Sequence, residues 1–362
     1  MAPYYWTILA VFLLTAFAKI ANRSAALQVP EGVSYSRTAK LFLVIAVAVL
    51  VFVAGLRYRV GTDYTAYYRG LTLFGGRLEE SLRSLDEPGL PLIATVISWF
   101  TDDGAYFIFV CAALTIMLCM MTNYKYTNQF VFVSMLFVFC GNWDGCFNGV
   151  RQYLAAAIVF AGHRLIYERK LVKYLLVVFL AFCVHSSAVI MIVPYFVLRN
   201  RINARNIILL IIGTAIVFLS YDRVFEFIGF LKDSEGEVGL TNYARTSVNI
   251  LRTLVGCAPA VLCLVLYAEK KPNVEQTFYI NALIIHATGR IATSNSAYLA
   301  RLGIYTGLFV PLALAKLVKF DNKRLESLTK WGIVALYAIF WYVEISGSSS
   351  LSNFHWIWER AN

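Results

Sequence analysis

An all-α, polytopic integral membrane protein is the fold class this sequence predicts, and three observations predict it. Apolar side chains make up 59% of the 362 residues and charged ones only 15%, whereas soluble globular chains sit nearer about 45–50% and 25%. Mean hydropathy is +0.66. Apolar blocks recur along the whole chain, each approaching the ~20 residues that cross a ~30 Å hydrocarbon core as a helix, which satisfies its own backbone in lipid. About ten to thirteen transmembrane or re-entrant helices are expected from them, in one transmembrane domain over residues 1–362. The same composition excludes a soluble enzyme, a nucleic-acid-binding module and a disordered regulator.

The blocks fall at 4–20, 40–56, 90–100, 105–121, 130–142, 151–167, 171–198, 206–220, 248–268, 277–289, 298–316 and 331–346. The first lacks a basic leader and is followed by Lys19 and Arg23, so it reads as a retained span and not as a cleaved signal peptide. Basic residues collect in the linkers 19–40, 163–173, 199–205 and 316–330, which the positive-inside rule assigns to the cytoplasm. Two of these linkers bracket 171–198. That block must then enter and return, as two short helices meeting near His185, Ser186 and Ser187, in protein or water that covers the bent backbone; a single long tilted span is the alternative. The 90–100 block is too short to cross and too apolar for a free loop, so it is expected to be re-entrant or interfacial. The polar stretches 57–89 and 221–247 fall on the outer side as extracytoplasmic loops. No transporter-type repeat and no Pro/Gly-rich linker divides the chain.

The formal net charge of +11 follows from the basic cytoplasmic loops, so no nucleic-acid partner is implied. Cys111, Cys119, Cys140, Cys146, Cys183, Cys257 and Cys263 lie mostly within apolar segments without CxxC spacing. They read as small core residues, with neither a zinc site nor a disulfide framework.

Five groups of residues are able to carry chemistry. Where the second block ends, Arg57, Arg59, Asp63, Tyr64 and Tyr68 come together in sequence. The plain reading is interfacial anchoring; the sharper one is that paired guanidinium groups grip phosphate oxygens while Tyr and Asp hold sugars. Asp86 and Glu87 precede Pro88 and Gly89, either as acids at a helix start or as a general base at a cavity mouth. Asn142-Trp143-Asp144 and Asn148-Gly149-Val150-Arg151-Gln152 lie between two apolar blocks; Arg151 at a bilayer boundary needs a partner or a task. His185 stands among apolar residues, as a hydrogen-bonded core residue or as a base or phosphate ligand. Arg290, and Arg301 with Tyr305 four residues on, flank the polar turn 293–296; residues at i and i+4 share a helix face and line one cavity.

Nucleotide and metal motifs are missing: there is no P-loop, no GxGxxG after a strand, no HExxH and no Asp-x-Asp pair. Embedded Arg and Tyr without a nucleotide pocket suggest a substrate that brings its own activated phosphate, as a lipid pyrophosphate does. The order of Arg57-x-Arg59-x-Gly61-Thr62-Asp63-Tyr64, Glu87-Pro88-Gly89, Asn148-x-x-Arg151-Gln152-x-Leu154-Ala155, Arg169-Lys170-x-x-Lys173-Tyr174 and Ala181-x-x-x-His185-x-Ser187-Ala188 resembles the EpsG family of Wzy-type polysaccharide polymerases. The similarity runs through about residues 55–200. Beyond them it is carried only by Arg301 and Tyr305, and Phe354-His355-Trp356 stands where the family would lead one to look for a Pro-Tyr pair.

The resemblance implies an all-helical enzyme similar to lipid-dependent GT-C-type glycosyltransferases, metal-independent and without a cofactor, in the bacterial cytoplasmic (inner) membrane. It would join undecaprenyl-pyrophosphate-linked oligosaccharide repeat units, of O-antigen or exopolysaccharide type, at the outer face. Membrane lipid and a chain-length regulator are the further partners considered. On this reading Arg57, Arg59 and Arg151 meet the pyrophosphate, with Arg290 and Arg301 in reserve. Asp63, Glu87 or His185 is the base, and Tyr64, Tyr68 and Tyr305 hold sugars, with Asn148 and Gln152 completing the substrate-binding set. The competing readings are a lipid-linked oligosaccharide transporter or flippase, which would be expected to show repeat symmetry, an O-antigen ligase, and a membrane acyltransferase.

Overall fold

The computed structural model describes residues 1–22, 28–29, 32–33, 35–84, 86–198, 212 and 247–360. The basic linker 199–205, most of the block 206–220 and residues 221–246 of the expected second outer loop lie outside these residues.

Helices α1 (Ala2–Ala21) and α2 (Arg37–Gly55) form an antiparallel pair. The pair is closed at one end by Ser36, whose amide and hydroxyl donate to Asn22 Oδ1 and the Ala21 carbonyl, while its Oγ accepts from the Ala39 amide and starts α2. An N-cap serine supplies one of the acceptors that a helix start lacks. Two short helices follow, α3 (Tyr64–Gly75) and α4 (Leu78–Ser84), then α5 (Gly89–Ser98). The stretch 57–89, expected as a loop, is therefore mostly helical. Its low hydropathy hides an amphipathic α3, which buries Tyr64, Gly70 and Leu71 and presents the rest outward. At ten residues α5 cannot span a bilayer, and exposed Trp99 and Phe100 follow it, as expected of an interfacial segment.

The long α6 (Gly104–Tyr126) packs on α2, α3 and α9 (Val150–Ala161), and all ten residues of α7 (Phe130–Phe139) are buried at the centre of the molecule. A single turn, α8 (Asn142–Gly145), joins α7 to α9, and α10 (Arg164–Tyr167) leads to α11 (Leu171–Val184). The chain then breaks at His185, whose backbone is extended, and returns through a 3-10 turn (Ser186–Met191) and α12 (Ile192–Leu198). Tyr174 at the start of this hairpin hydrogen-bonds the Met191 carbonyl at 2.9 Å and stacks on Tyr195 at 5.3 Å, so the block turns back as two short arms.

The remaining helices are α13 (Ile250–Leu266), α14 (Val274–Ala292), α15 (Ala297–Ala300), α16 (Gly303–Gly307), α17 (Val310–Leu317), α18 (Lys323–Gly347) and α19 (Ser349–Ser352). A reciprocal Asn273–Gln276 capping box opens α14, and Asn322 accepts two amides at the start of α18. Two antiparallel ribbons are the strands among the described residues: β1 (Gln28–Val29) with β2 (Gly32–Val33), and β3 (Arg57–Tyr58) with β4 (His355–Trp356).

This is an all-α, multi-pass membrane protein. Helices α1, α2, α6 and α18 are long and apolar enough to cross a bilayer, and α15–α16 with α17 make a fifth span bent by 45°. The shorter apolar helices run 10–17 residues, and two of them meet at the break at His185. Large apolar side chains of α1 and α18, among them Trp6, Phe17, Leu336 and Ile339, point outward, where lipid is their solvent. All seven cysteines are unpaired, four of them fully buried. At one end of the bundle gather Lys19, Lys323 and Lys330 and the Lys316–Glu275 pair. The other end carries Arg57, Glu87, Arg151, His185 and Arg301.

Candidate active site

Glu87 is the hub of this second end. Its φ of +45° lies in the left-handed region, a conformation that costs a non-glycine residue on the order of 1–3 kcal/mol. Three hydrogen bonds hold it there. Oε1 accepts from His185 Nδ1 and from the Ser186 amide, both at 2.8 Å, and Oε2 accepts from Arg151 Nη1 at 2.8 Å. The approach depends on Gly89: a Cβ there would lie 2.9 Å from the Cys183 carbonyl oxygen and the Val184 side chain. The start of α5 thus abuts the end of α11, and Glu87 reaches the break at His185.

Burial works against a charge on Glu87, but His185, the Ser186 amide and Arg151 outweigh it and hold the carboxyl at about 2. An ionised carboxylate can only accept, so His185 Nδ1 carries a hydrogen, which leaves Nε2 as the ring nitrogen able to exchange a proton with a substrate. The same carboxylate fixes the base tautomer on one oxygen and a guanidinium on the other. Arg151 is 40% exposed at its side chain, which leaves donors facing the outside, and its backbone amide lies 3.5 Å from the Tyr67 hydroxyl. A small cavity of about 100 Å³ lies beside Glu87 and Arg151.

Further residues close round this group. Asn148 Oδ1 accepts from the Thr62 amide at 2.7 Å, the Thr62 hydroxyl donates to Asp63 Oδ1 at 3.0 Å, and Asp63 Oδ2 is 3.9 Å from Arg301 Nη2. Tyr305, fully buried, meets the Ser187 hydroxyl at 2.9 Å. Of the residues expected from sequence, the structure brings Asp63, Glu87, Asn148, Arg151, His185, Arg301 and Tyr305 together. Gln152 is buried beside Arg151 on α9.

Arg57 is placed otherwise than expected. It is 1% exposed, and its guanidinium donates to the carbonyls of Ala54, Val60 and Phe147 and lies 4.5 Å over the Phe147 ring. With three of its donors on backbone carbonyls and the side chain 1% exposed, the expected grip on pyrophosphate is corrected to a strut between α2 and the turn before α9. Arg59, also at positive φ, is exposed and lies over Tyr58. Tyr64 is buried and stacks on half-buried Tyr68, whose hydroxyl accepts from Arg360 at 3.2 Å. Arg360 also holds Asp103 through two bonds of 3.1 and 2.9 Å, so the 355–360 segment straps β3 and α3.

Arg290 is set apart from Glu87, in a second polar cavity of about 240 Å³ between α7, α13, α14, α16 and α18. Sequence reasoning missed three of its residues, Arg252, His286 and Glu344. His286 donates or accepts at Thr306 Oγ1, 2.9 Å away, and Arg252 pairs with Glu344 at 2.5 Å. The signal was present, since each is an ionisable residue within an apolar block. Among the described residues no three His, Cys, Asp or Glu side chains converge as metal ligands.

A family model described as the EpsG family matches residues 40–357. No curated protein and no solved structure matches the chain.

Proposed function

The chain belongs to the EpsG family, and from that premise we propose that it is a polysaccharide polymerase. It joins undecaprenyl-pyrophosphate-linked oligosaccharide repeat units by glycosyl transfer at the outer face of the bacterial cytoplasmic membrane. A hydroxyl of the acceptor sugar attacks the anomeric carbon of the donor, the bond from that carbon to the pyrophosphate oxygen breaks, and undecaprenyl pyrophosphate leaves. His185 Nε2 takes the hydroxyl proton. Arg151, with Arg301, meets the charge that develops on the leaving pyrophosphate, where prepositioned cations in a partly dry site act most strongly. Glu87 is not assigned as the base, because three donors stabilise its ionised form and make it a poor proton acceptor. It orients the two groups that act. Asp63, Asn148 and Tyr68 contact sugar hydroxyls, while fully buried Tyr305 holds Ser187 in place beside His185.

The observation that carries this reading is the single carboxylate bridging His185 and Arg151, which couples a proton acceptor to an anion-stabilising group without a nucleotide pocket. The test is the purified full-length protein in nanodiscs, given a lipid-linked repeat unit as sole substrate. A ladder of polymer that His185→Ala and Arg151→Ala both abolish, leaving single units intact, is expected. Wild-type protein that makes no ladder but moves the lipid-linked unit across a vesicle membrane would replace the polymerase reading with transport.

A further inference from the structure

We propose that the cavity containing Arg252 and Arg290 is a second anion subsite, which holds the pyrophosphate of the acceptor while the cluster around Glu87 works on the donor. The proposal rests on the polymerase reading for the identity of the ligand, and on the cavity itself for its charge.

Charge is the first argument. Arg252 pairs with Glu344, and the cavity's second acid, Asp144, is held at Oδ1 by the neutral Trp341 Nε1 at 2.9 Å and forms no ion pair with Arg290 among the described residues. Arg290 donates to the Arg252 carbonyl at 3.3 Å, and among the described residues no carboxylate lies within ion-pair distance of it. Arg290 thus has no carboxylate in direct contact, and a guanidinium at the end of a helix packed in a membrane bundle gains from a phosphate oxygen that touches it.

The second argument is an independent vacancy in hydrogen bonding. Asn142, 4% exposed, lines the same cavity, and its Nδ2 finds no acceptor among the described residues. A buried amide donor with no acceptor is destabilising until one is supplied. A phosphate oxygen beside Arg290 would satisfy both groups.

Shape and access agree. Arg290 lies in a slot between Gly256 and Gly303, where added Cβ atoms would stand 3.1 Å and 3.4 Å from its side chain. The turn of α13 that bears Arg252 also turns Ile250, Leu251 and Leu254 outward, an apolar face for a prenyl chain lying in the adjacent lipid.

Position decides which pyrophosphate binds. Arg151 and Tyr153 leave the first turn of α9 on opposite sides: Arg151 towards Glu87, Tyr153 into the second cavity. Likewise Tyr305 of α16 meets Ser187, while Gly303 and Gly307 face the second cavity. The cavity therefore shares no wall residue with Glu87 or His185. A phosphate that leaves during the reaction must lie at the bond that breaks. The acceptor's phosphate is not cleaved and sits a repeat unit away from the attacking hydroxyl, so it fits a cavity removed from the base.

Undecaprenyl pyrophosphate without sugar is the probe, with undecaprenol as the control that lacks phosphate, and native mass spectrometry of the full-length protein counts the molecules bound. Two copies per chain are expected on wild type, one on Arg290→Gln, one on Arg151→Gln and none on the double variant. Arg290→Gln should also raise the acceptor KM tenfold or more with kcat altered far less, while Arg290→Lys keeps the second copy. If Arg290→Gln fails to melt cooperatively, Asn142→Leu takes its place, with weakened binding of one copy only. Two copies retained on Arg290→Gln, or a single copy on wild type that Arg151→Gln removes, would overturn the proposal. Two-copy binding by a protein that makes no ladder would sink the polymerase reading and leave the anion site standing. A ladder with unchanged binding in Arg290→Gln would sink the anion site alone.

Discussion

Replacing Glu87 by Gln and by Ala separates what its oxygen atoms do from what its charge does. Oε1 receives two donors, His185 Nδ1 and the Ser186 amide, and only an oxygen satisfies both. In Glu87→Gln the carbonyl oxygen stays on that side, and the new amide faces Arg151 Nη1 donor to donor. One charge-assisted bond is lost, worth roughly 1.5–3 kcal/mol when buried. Arg151 is 40% exposed and turns to water, so the loss falls to about 1–2 kcal/mol. In Glu87→Ala all three donors lose their acceptor, His185 and Ser186 within the protein, and the loss is roughly 3–5 kcal/mol. Activity follows the same order. Glu87→Gln keeps the His185 tautomer but frees Arg151, for about a 10–100-fold fall in polymerisation rate, or roughly 1.4–2.7 kcal/mol of barrier. Glu87→Ala loses tautomer control as well and makes no ladder. Thermal melting in detergent and ladder formation in nanodiscs measure the two series. Equal damage from Gln and Ala in both readouts would show that charge alone matters, and a normal ladder from Glu87→Ala would remove Glu87 from the site.

Acid should act through the same carboxyl. Held at about 2 in the fold against an ordinary 4.5, Glu87 contributes stability that is fully present above about pH 4.5 and lost as pH falls towards 2. The melting temperature of wild type should drop more steeply across that window than that of Glu87→Gln, and parallel curves would contradict it. Arg57→Met leaves three carbonyls without their donor, at about 3 kcal/mol or more; the yield of folded protein should fall, while the protein that does fold still makes polymer. Gly89→Ala drives a methyl against the Cys183 carbonyl and should reduce the polymerisation rate at least tenfold, about 1.4 kcal/mol of barrier, because Glu87 is carried away from His185. Tyr305→Phe gives up one neutral bond to Ser187, about 1 kcal/mol, and should slow the ladder only a few-fold.

Helix positions were legible because lipid demands long apolar runs, and the basic linkers on either side of 171–198 favoured a return near His185 over a single tilted span. Amphipathic α3 was not legible, since a helix half covered by protein carries the hydropathy of a loop. Glu87, Arg151 and His185 could each be picked out as ionisable residues beside apolar blocks. Their meeting could not, because the partners stand 64 and 98 residues apart. Arg57 shows the reverse failure. A guanidinium beside tyrosines suggests phosphate, yet its acceptors are main-chain carbonyls that exist only once α2 ends beside Phe147. Arg252 and Glu344 were passed over for a related reason: each looks like a stray charge in an apolar run until a helix 92 residues away supplies its counterion.

The strap from Arg360 to Asp103 also sets an order in time. Its two partners are separated by 257 residues, which a ribosome working at about 5–20 residues per second traverses in roughly ten to fifty seconds. Over that interval β3 and the Asp103 end of α6 stand inserted without the ribbon and guanidinium that later cover them. A nascent chain stalled before residue 355 would leave that edge open, with Asp103 and the Tyr68 hydroxyl lacking the guanidinium that binds them in the finished protein.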